Sequence, residues 1–238
     1  MKEYCRKENV TEAGFLETVL YMYLFRINSD NSKVTIGIPV LNRTKTFEKR
    51  TAGMFISTLP LTVNMAEDNT IKQVMEDITN THIQVFRHQK YPYSFILKEV
   101  REKQEIEGNL YNVMFSFQNA RVNSEAETEW YSNGYNEVPF TLHVDNRDKE
   151  DTYILTVDYQ VEVFRQSKEI ELILDRLEYI AEQILEDDSV LVKNISILPE
   201  VEEKRILCDF NNTAMDYPRD KCVHELFMEQ AERTQDKV

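Results

Sequence analysis

Four histidines carry the side chains best suited to proton transfer near neutral pH: His82, His88, His143 and His224. No two of them have the spacing of a zinc-protease helix or of paired metal ligands, so no metal site is predicted. His82 lies on an apolar helical stripe, which favours a hydrogen-bonded core or boundary histidine over a catalytic base. His88 stands in "RHQKYPYS" just before Pro92. That position favours a histidine that ends a helix over a catalytic one.

Other catalytic arrangements are weakly represented. His143 alternates with Thr141 and Asp145 on the polar side of a predicted strand, so Asp145 could orient His143 as a base. A solvated strand face explains the same pattern and is favoured. Ser57 and Thr58, in "GMFISTLPL", lack the G-x-S-x-G turn of serine hydrolases. No glycine-rich phosphate loop or dinucleotide motif occurs.

Composition narrows the class of partner. The net charge of −14 argues against nucleic acid or an anionic membrane as the main partner, because phosphate binding needs a basic surface. No apolar run reaches the length of a membrane span, and the first residues do not form a secretory signal. The cysteines are odd in number and widely spaced (Cys5, Cys208 and Cys222), which indicates free thiols in a reducing cytoplasm.

Apolar periodicity predicts four main helices. The first runs from a cap at Thr11 to about 27, followed by helices over about 70–88 and 93–103 and a last one that begins at a Ser167 cap. Alternating patterns predict strands at "KVTIGIPV", "LYNVMFSFQN", "VPFTLHVD" and "TYILTVDYQ", the last two as an antiparallel pair. This order predicts a mixed α/β domain. Beyond about residue 196 the chain becomes polar and turn-rich, with two short helices expected over 199–210 and 223–233.

The stretch from Gly37 to Leu61 holds two of the five glycines and two of the six prolines. Gly37 and Pro39 are expected to interrupt a strand where side chains would crowd, and Pro60 to exclude the next run from a central position in a sheet. A local basic patch lies between the two runs: Arg43, Lys45, Lys49 and Arg50. The pattern predicts two strands joined by a long basic loop.

These motifs together resemble one family. "IGIPVLNRT" followed by "GMFISTLPL" resembles a paired motif of the condensation domains of nonribosomal peptide synthetases. "HQKYPYS" and "LYNVMFSFQN" are similar to the family's next motif and next strand, in the same order. "LPEVEEKRILCDFNNTAMDYP" resembles the linker to an adenylation domain, and "VHELFMEQAERTQDKV" resembles the opening helix of such a domain. The resemblance divides the chain into a condensation-domain part, 1–195, and a linker with the start of an adenylation domain, 196–238.

The resemblance implies the C-terminal lobe of a two-lobed fold like chloramphenicol acetyltransferase, with a mixed sheet flanked by helices. Such enzymes form an amide bond between a donor thioester and an acceptor amine, both carried on the phosphopantetheine arms of carrier proteins. The family's catalytic motif, His-His-x-x-x-Asp-Gly, does not occur in these 238 residues. No catalytic residue is therefore assigned here. The catalytic histidine is expected on a missing N-terminal lobe, and the chain alone is expected to be inactive.

The resemblance also implies partners and substrate-tunnel residues. The partners are the missing lobe, carrier proteins and a downstream adenylation domain. An isolated lobe would expose an apolar interface, which predicts self-association. The alternative is a non-catalytic module that docks a carrier protein or a neighbouring domain. The tunnel candidates are Gly37, Arg43, Gly53, Ser57, Thr58, Pro60 and Gln118.

Three positions depart from the family pattern. Ser57 stands where relatives usually have Asn, Thr62 where they usually have Arg, and Thr141 where many have Asp. Ser57 is shorter than Asn and has different hydrogen-bonding groups, so substrate contacts at this position are expected to differ. A polar contact that relatives make at Thr141 is expected to be lost.

Overall fold

The computed structural model describes residues 1–28, 32–104, 107–119, 134–146, 152–216 and 218–234. It divides into two compact units, Met1–Leu198 and Pro199–Val238. The helices are α1 Lys2–Glu8, α2 Glu12–Ile27, α3 Thr46–Arg50, α4 Ile71–Arg87, α5 Tyr93–Gln104, α6 Ser167–Glu186, α7 Glu200–Lys204 and α8 Val223–Arg233. The strands are β1 Lys33–Val40, β2 Ser57–Asn64, β3 Val113–Gln118, β4 Phe140–Asp145 and β5 Ile154–Tyr159.

The five strands form one mixed sheet in the order β2-β1-β3-β4-β5. β1 pairs antiparallel with β2 and parallel with β3, while β4 pairs parallel with β3 and antiparallel with β5. The mixed α/β fold and the antiparallel β4–β5 pair are as predicted. Pro60 lies in an edge strand of this sheet, where a residue without an N–H group is tolerated.

One prediction about β1 was wrong. The strand continues through Gly37 and Pro39, and both pair with β2, opposite Pro60 and Thr58. Gly37 also lies opposite Met114 of β3. The two residues do not break the strand because the antiparallel register with β2 runs over the whole length of β1.

The hydrophobic core lies between one face of the sheet and helices α2, α4 and α6. The residues of β1 and β4 alternate, so that Ile36, Ile38, Leu142 and Val144 are buried on this face. α2 is buried around most of its circumference, including Phe15 and the run from Val19 to Tyr23. Thr11 caps α2 through a 2.9 Å hydrogen bond from the Gly14 amide, as the sequence predicts.

The other face of the sheet is covered in part by α5 and by Tyr111. The Tyr111 ring lies over Gly37 of β1. Tyr93 of α5 packs on Tyr111 with ring centroids 5.3 Å apart, and the Tyr93 hydroxyl accepts a hydrogen bond from the Leu110 amide. Burial raises the pKa of Tyr111. Tyr111, which precedes β3, therefore lies between Tyr93 of α5 and Gly37 of β1.

In the C-terminal half, the predicted cap of α6 was wrong by one residue, and the helix expected near the C-terminus is present. Ser167 is the first residue of α6 and not its cap: the N-cap is Gln166, and no side chain caps this helix end. In the second unit, α7 continues as a π-helical turn over Arg205–Asp209, and α8 follows where a helix was expected.

The three thiols are free, as predicted, with Cys5 buried. Over the described residues no helix has the length and apolar character to cross a bilayer.

Candidate functional site

The candidate residues lie towards one end of the sheet, where β1 and β3 end and β2 begins, but they lie on both of its faces. Ser57 opens β2 opposite Val40, on the same side as the buried Leu59. Gly37, Thr58 and Pro60 face the opposite side, that of α5. Because β1 and β3 are parallel, Gln118 at the end of β3 lies at the same end of the sheet as Ser57, with β1 between their strands. Arg43 and Gly53 lie beyond this end, on the segment 41–56, which we call the connecting loop.

Arg43 closes the connecting loop on itself. Its guanidinium donates hydrogen bonds to the backbone carbonyls of Glu48, Thr51 and Gly53, the last two at 2.6 Å and 2.8 Å. The same group lies over the Phe55 ring, 4.0 Å from its centroid. α3 ends at Arg50, and Arg43 adds a second donor to the Glu48 carbonyl, which also accepts from the Thr51 amide at 3.3 Å. Arg43 therefore supports the loop rather than pointing a free charge at a substrate.

Glu48 is a buried acid in this loop, and the sequence reading missed it. Its carboxylate accepts hydrogen bonds from the backbone amides of Thr44 and Lys45 at 2.7 Å and 2.9 Å. The Lys90 ammonium lies 2.9 Å from the other carboxylate oxygen, and it also donates to the Asn42 carbonyl at 2.7 Å. Lys90 and the two amides lower the pKa of Glu48 to about 2. The ion pair joins the connecting loop to the "HQKYPYS" motif.

Gly53 is required by its backbone conformation rather than by lack of space. Its φ is +142°, a value that side chains disfavour. A Cβ atom there would meet only the Phe55 ring, at 3.8 Å. Gly53 thus sets the direction in which the chain leaves the loop towards Ser57.

Large apolar side chains are exposed along the connecting loop. Leu41 is 70% exposed, Phe47 64%, Met54 86% and Ile56 53%. Lys45, Lys49 and Arg50 are exposed beside them. An apolar patch with a basic rim is the composition of a protein interaction surface.

A cavity of about 980 Å³ lies beside α1, the start of α2 and α4. His82 lines it and forms a 2.6 Å hydrogen bond through Nε2 to the carboxylate of Glu17, which is buried in α2. The structure thus confirms a hydrogen-bonded boundary histidine at this position. The buried Nδ1 atom of His82 has no hydrogen-bond partner among the described residues. Glu17 was missed by the sequence analysis, although a charged residue in the apolar run of α2 was a usable signal.

The other two histidines of the first unit, His88 and His143, contact a helix end and a neighbouring strand. His143 Nε2 lies 3.2 Å from the carboxylate of Asp158 on β5, a contact that the sequence pattern did not predict. Asp158 lies diagonally across from His143, opposite Thr141, and is within reach of the long imidazole side chain. His88 is the C-cap of α4, as expected. Within the described residues no three His, Cys, Asp or Glu side chains cluster as metal ligands.

The mixed sheet with helices over one face and a long connecting loop at its edge is the fold of condensation domains. The structure resembles the first condensation domain of the CDA synthetase, with a TM-score of 0.69 at 12% identity, over 83% of this chain and 44% of that one. It also resembles a four-domain nonribosomal peptide synthetase bound to AMP and glycine, with a TM-score of 0.77 at 15% identity, over 96% of this chain and 19% of that one.

The family model named Condensation domain matches residues 1–207, and the chain belongs to this family. Surfactin synthase subunit 1 of Bacillus subtilis (strain 168) is 28% identical over 241 residues, which cover 98% of this chain and 7% of the relative. Gramicidin S synthase 2 of Brevibacillus brevis is 26% identical over 245 residues, covering 98% of this chain and 5% of the relative. The chain therefore spans less than a tenth of the length of these relatives.

Proposed function

We propose that this chain forms one lobe of a condensation domain that makes an amide bond between a carrier-bound acyl thioester and a carrier-bound amine. The observation that carries the proposal is the match of 83% of the chain to 44% of a solved condensation domain. The seven tunnel candidates are proposed as parts of the tunnel region on the same grounds, with Arg43 supporting the connecting loop and Gly37 packed under the Tyr111 ring. Of these, Ser57 and Thr58 lie where the connecting loop enters β2.

In the proposed reaction this lobe forms no covalent bond with the substrates. A thioester is already activated, so holding the amine at attacking distance lowers much of the barrier. A histidine that deprotonates or orients the amine and donors that stabilise the oxyanion supply the rest. His82 and His143 are each engaged by a carboxylate. No two histidines of the 238 residues are adjacent. We therefore propose that the catalytic histidine comes from a second lobe.

The exposed apolar patch of the connecting loop supports a second lobe as the partner. Phe47 and Met54 project from a loop that Arg43 holds in one conformation, so their exposure is a property of the folded loop. Covering these side chains would remove apolar surface from water, which favours association. Without that lobe we expect the patches of two copies to associate with each other.

Carrier proteins with phosphopantetheine arms are the proposed substrate carriers, and an adenylation domain is the proposed neighbour of the second unit. α8 presents Val223, Phe227 and Met228 as exposed apolar residues, which such a neighbour would cover. The free thiols, Cys208 and Cys222 among them, are consistent with a proposed cytoplasmic location.

The test is reconstitution. The chain is mixed with a separately produced lobe that carries a His-His-x-x-x-Asp-Gly motif and with two loaded carrier proteins, and dipeptidyl thioester is measured by mass spectrometry. We expect product only when both lobes are present, and none when both motif histidines are replaced by alanine. Association of the lobes without product would support the non-catalytic docking module instead. Product from the chain alone would disprove the proposal.

A further inference from the structure

We propose that Lys90 is a positioning residue that holds the connecting loop, and with it the apolar patch and Ser57, in the conformation that meets the second lobe. The proposal rests on the proposed function for its final step. Its first step, control of the loop by Lys90, concerns this chain alone.

Lys90 is the link between the loop and another segment of the chain. The ammonium donates to the Asn42 carbonyl at one end of the loop and to the Glu48 carboxylate at its middle. Among the described residues, these are the side-chain hydrogen bonds that reach the loop from a different part of the sequence. The hydrogen bonds of Arg43 stay inside the loop, so they shape it without attaching it.

The attachment acts through a buried charge. Glu48 is 9% exposed, and its second carboxylate oxygen is bonded to the amides of Thr44 and Lys45. Removal of Lys90 would leave this carboxylate buried with only neutral donors, the amides of Thr44 and Lys45 and the Thr44 hydroxyl, which is unfavourable for a charged group. The carboxylate can regain solvation by moving outward. This movement would break its hydrogen bonds to the two amides and open the start of α3.

Opening of α3 would displace the exposed apolar side chains that are proposed to contact the second lobe, and Ser57 after them. Phe47 lies within α3 next to Glu48, and Met54 and Ile56 follow before Ser57 begins β2. A loop that samples several conformations presents the patch in the productive one only part of the time, which weakens binding by that fraction. Replacement of Lys90 should therefore weaken association with the second lobe while the chemistry within the assembled enzyme continues.

The first experiment measures hydrogen exchange of the Thr44 and Lys45 amides in the full chain. Lys90→Met and Lys90→Gln should speed exchange at these two amides by about tenfold or more, because local opening becomes easier. Lys90→Arg retains a cation that can reach Glu48 and should keep the wild-type rate. The matched control is Lys98→Met. Lys98 is an exposed lysine of α5 whose Nζ atom lies 3.8 Å from a carboxylate oxygen of Glu102. It should leave both amides unchanged.

The second experiment titrates the second lobe in the reconstituted reaction. Lys90→Met should raise the lobe concentration needed for half-maximal rate by about tenfold and change the maximal rate by less than about twofold. Circular dichroism checks that each variant is folded, and Lys90→Gln replaces Lys90→Met if the latter unfolds.

The outcomes separate the two steps. Unchanged exchange at Thr44 and Lys45 in folded Lys90→Met and Lys90→Gln would overturn control of the loop. Faster exchange with unchanged titration would overturn the positioning role. If the wild-type lobes give no product at all, the proposed function fails, and the exchange experiment still decides whether Lys90 holds the loop.

Discussion

The ring of Tyr111 lies directly over Gly37, so closely that a Cβ atom at Gly37 would be 2.5 Å from a ring carbon. Gly37 lies between Pro60 and Met114 in the sheet and cannot move away without breaking two strand pairings. The contact explains why β1 has glycine at this position, because the ring occupies the space of the missing side chain.

Gly37→Ala should lower the free energy of unfolding by about 1–3 kcal/mol, since a methyl group would be forced into an occupied site. The clash is with ring carbons, so Tyr111→Phe should not relieve it, whereas Tyr111→Leu should recover part of the loss. Urea denaturation of the single and double variants measures this coupling. Equal effects of Gly37→Ala in the wild-type protein and in the Tyr111→Leu variant would contradict the packing explanation.

The Glu17–His82 pair should show the behaviour of a buried polar pair. His82→Leu leaves the buried Glu17 carboxylate without its partner and should cost about 3–5 kcal/mol of stability. The double variant Glu17→Leu with His82→Leu should be more stable than His82→Leu alone, because no buried charge remains. Glu178→Leu, at an exposed position of α6, is the control and should change stability by less than about 0.5 kcal/mol.

The Glu48–Lys90 pair predicts a pH dependence at acidic pH. The pKa of Glu48 falls from 4.5 to about 2 because of Lys90 and backbone donors. A lowered pKa means that the pair stabilises the folded state fully above about pH 4.5 and loses this contribution as the pH falls towards 2. The stability difference between wild type and Glu48→Gln should thus be constant from pH 7 to about 5 and shrink below that. Chemical denaturation at several pH values gives the measurement, and a difference that grows on acidification would refute the assignment.

Helix capping gives a matched comparison. Thr70 caps α4 and accepts a hydrogen bond from the Gln73 amide, so Thr70→Ala should cost about 1 kcal/mol. Ser167 makes no cap bond, so Ser167→Ala should be within about 0.5 kcal/mol of wild type. Thermal unfolding distinguishes the two, and a larger loss for Ser167→Ala would restore that residue as a cap.

Gly53→Val should impair condensation in an intact synthetase that contains this chain while leaving adenylation unchanged. Valine disfavours the φ of +142° and would redirect the chain before Ser57. Gly108→Val is the control, since Gly108 also has a positive φ and open space but lies outside the connecting loop. Normal dipeptide formation by Gly53→Val would argue against a role of this turn in the tunnel.

Local sequence patterns were sufficient for most of the secondary structure. The apolar periods of α2, α4 and α6 and the alternation in β1 and β4 reflect which face of each element is buried, and burial follows from hydrophobicity. The cap at Thr11 lies where the sequence places it, and α4 begins directly after Thr70. Ser167 was misplaced by one residue, because a serine in the first turn and a serine at the cap look alike in sequence.

The contacts between distant segments could not be obtained in this way. Lys90 and Glu48 are 42 residues apart, and His82 and Glu17 are 65 apart. Nothing in the local pattern distinguishes Glu48 from an exposed acid or names Tyr111 as the neighbour of Gly37. The sequence therefore determined the elements and the family motifs. The order of strands and the packing of helices on the sheet decided which charges were buried together, because the strength of an ionic interaction depends on distance and solvent access in the folded chain.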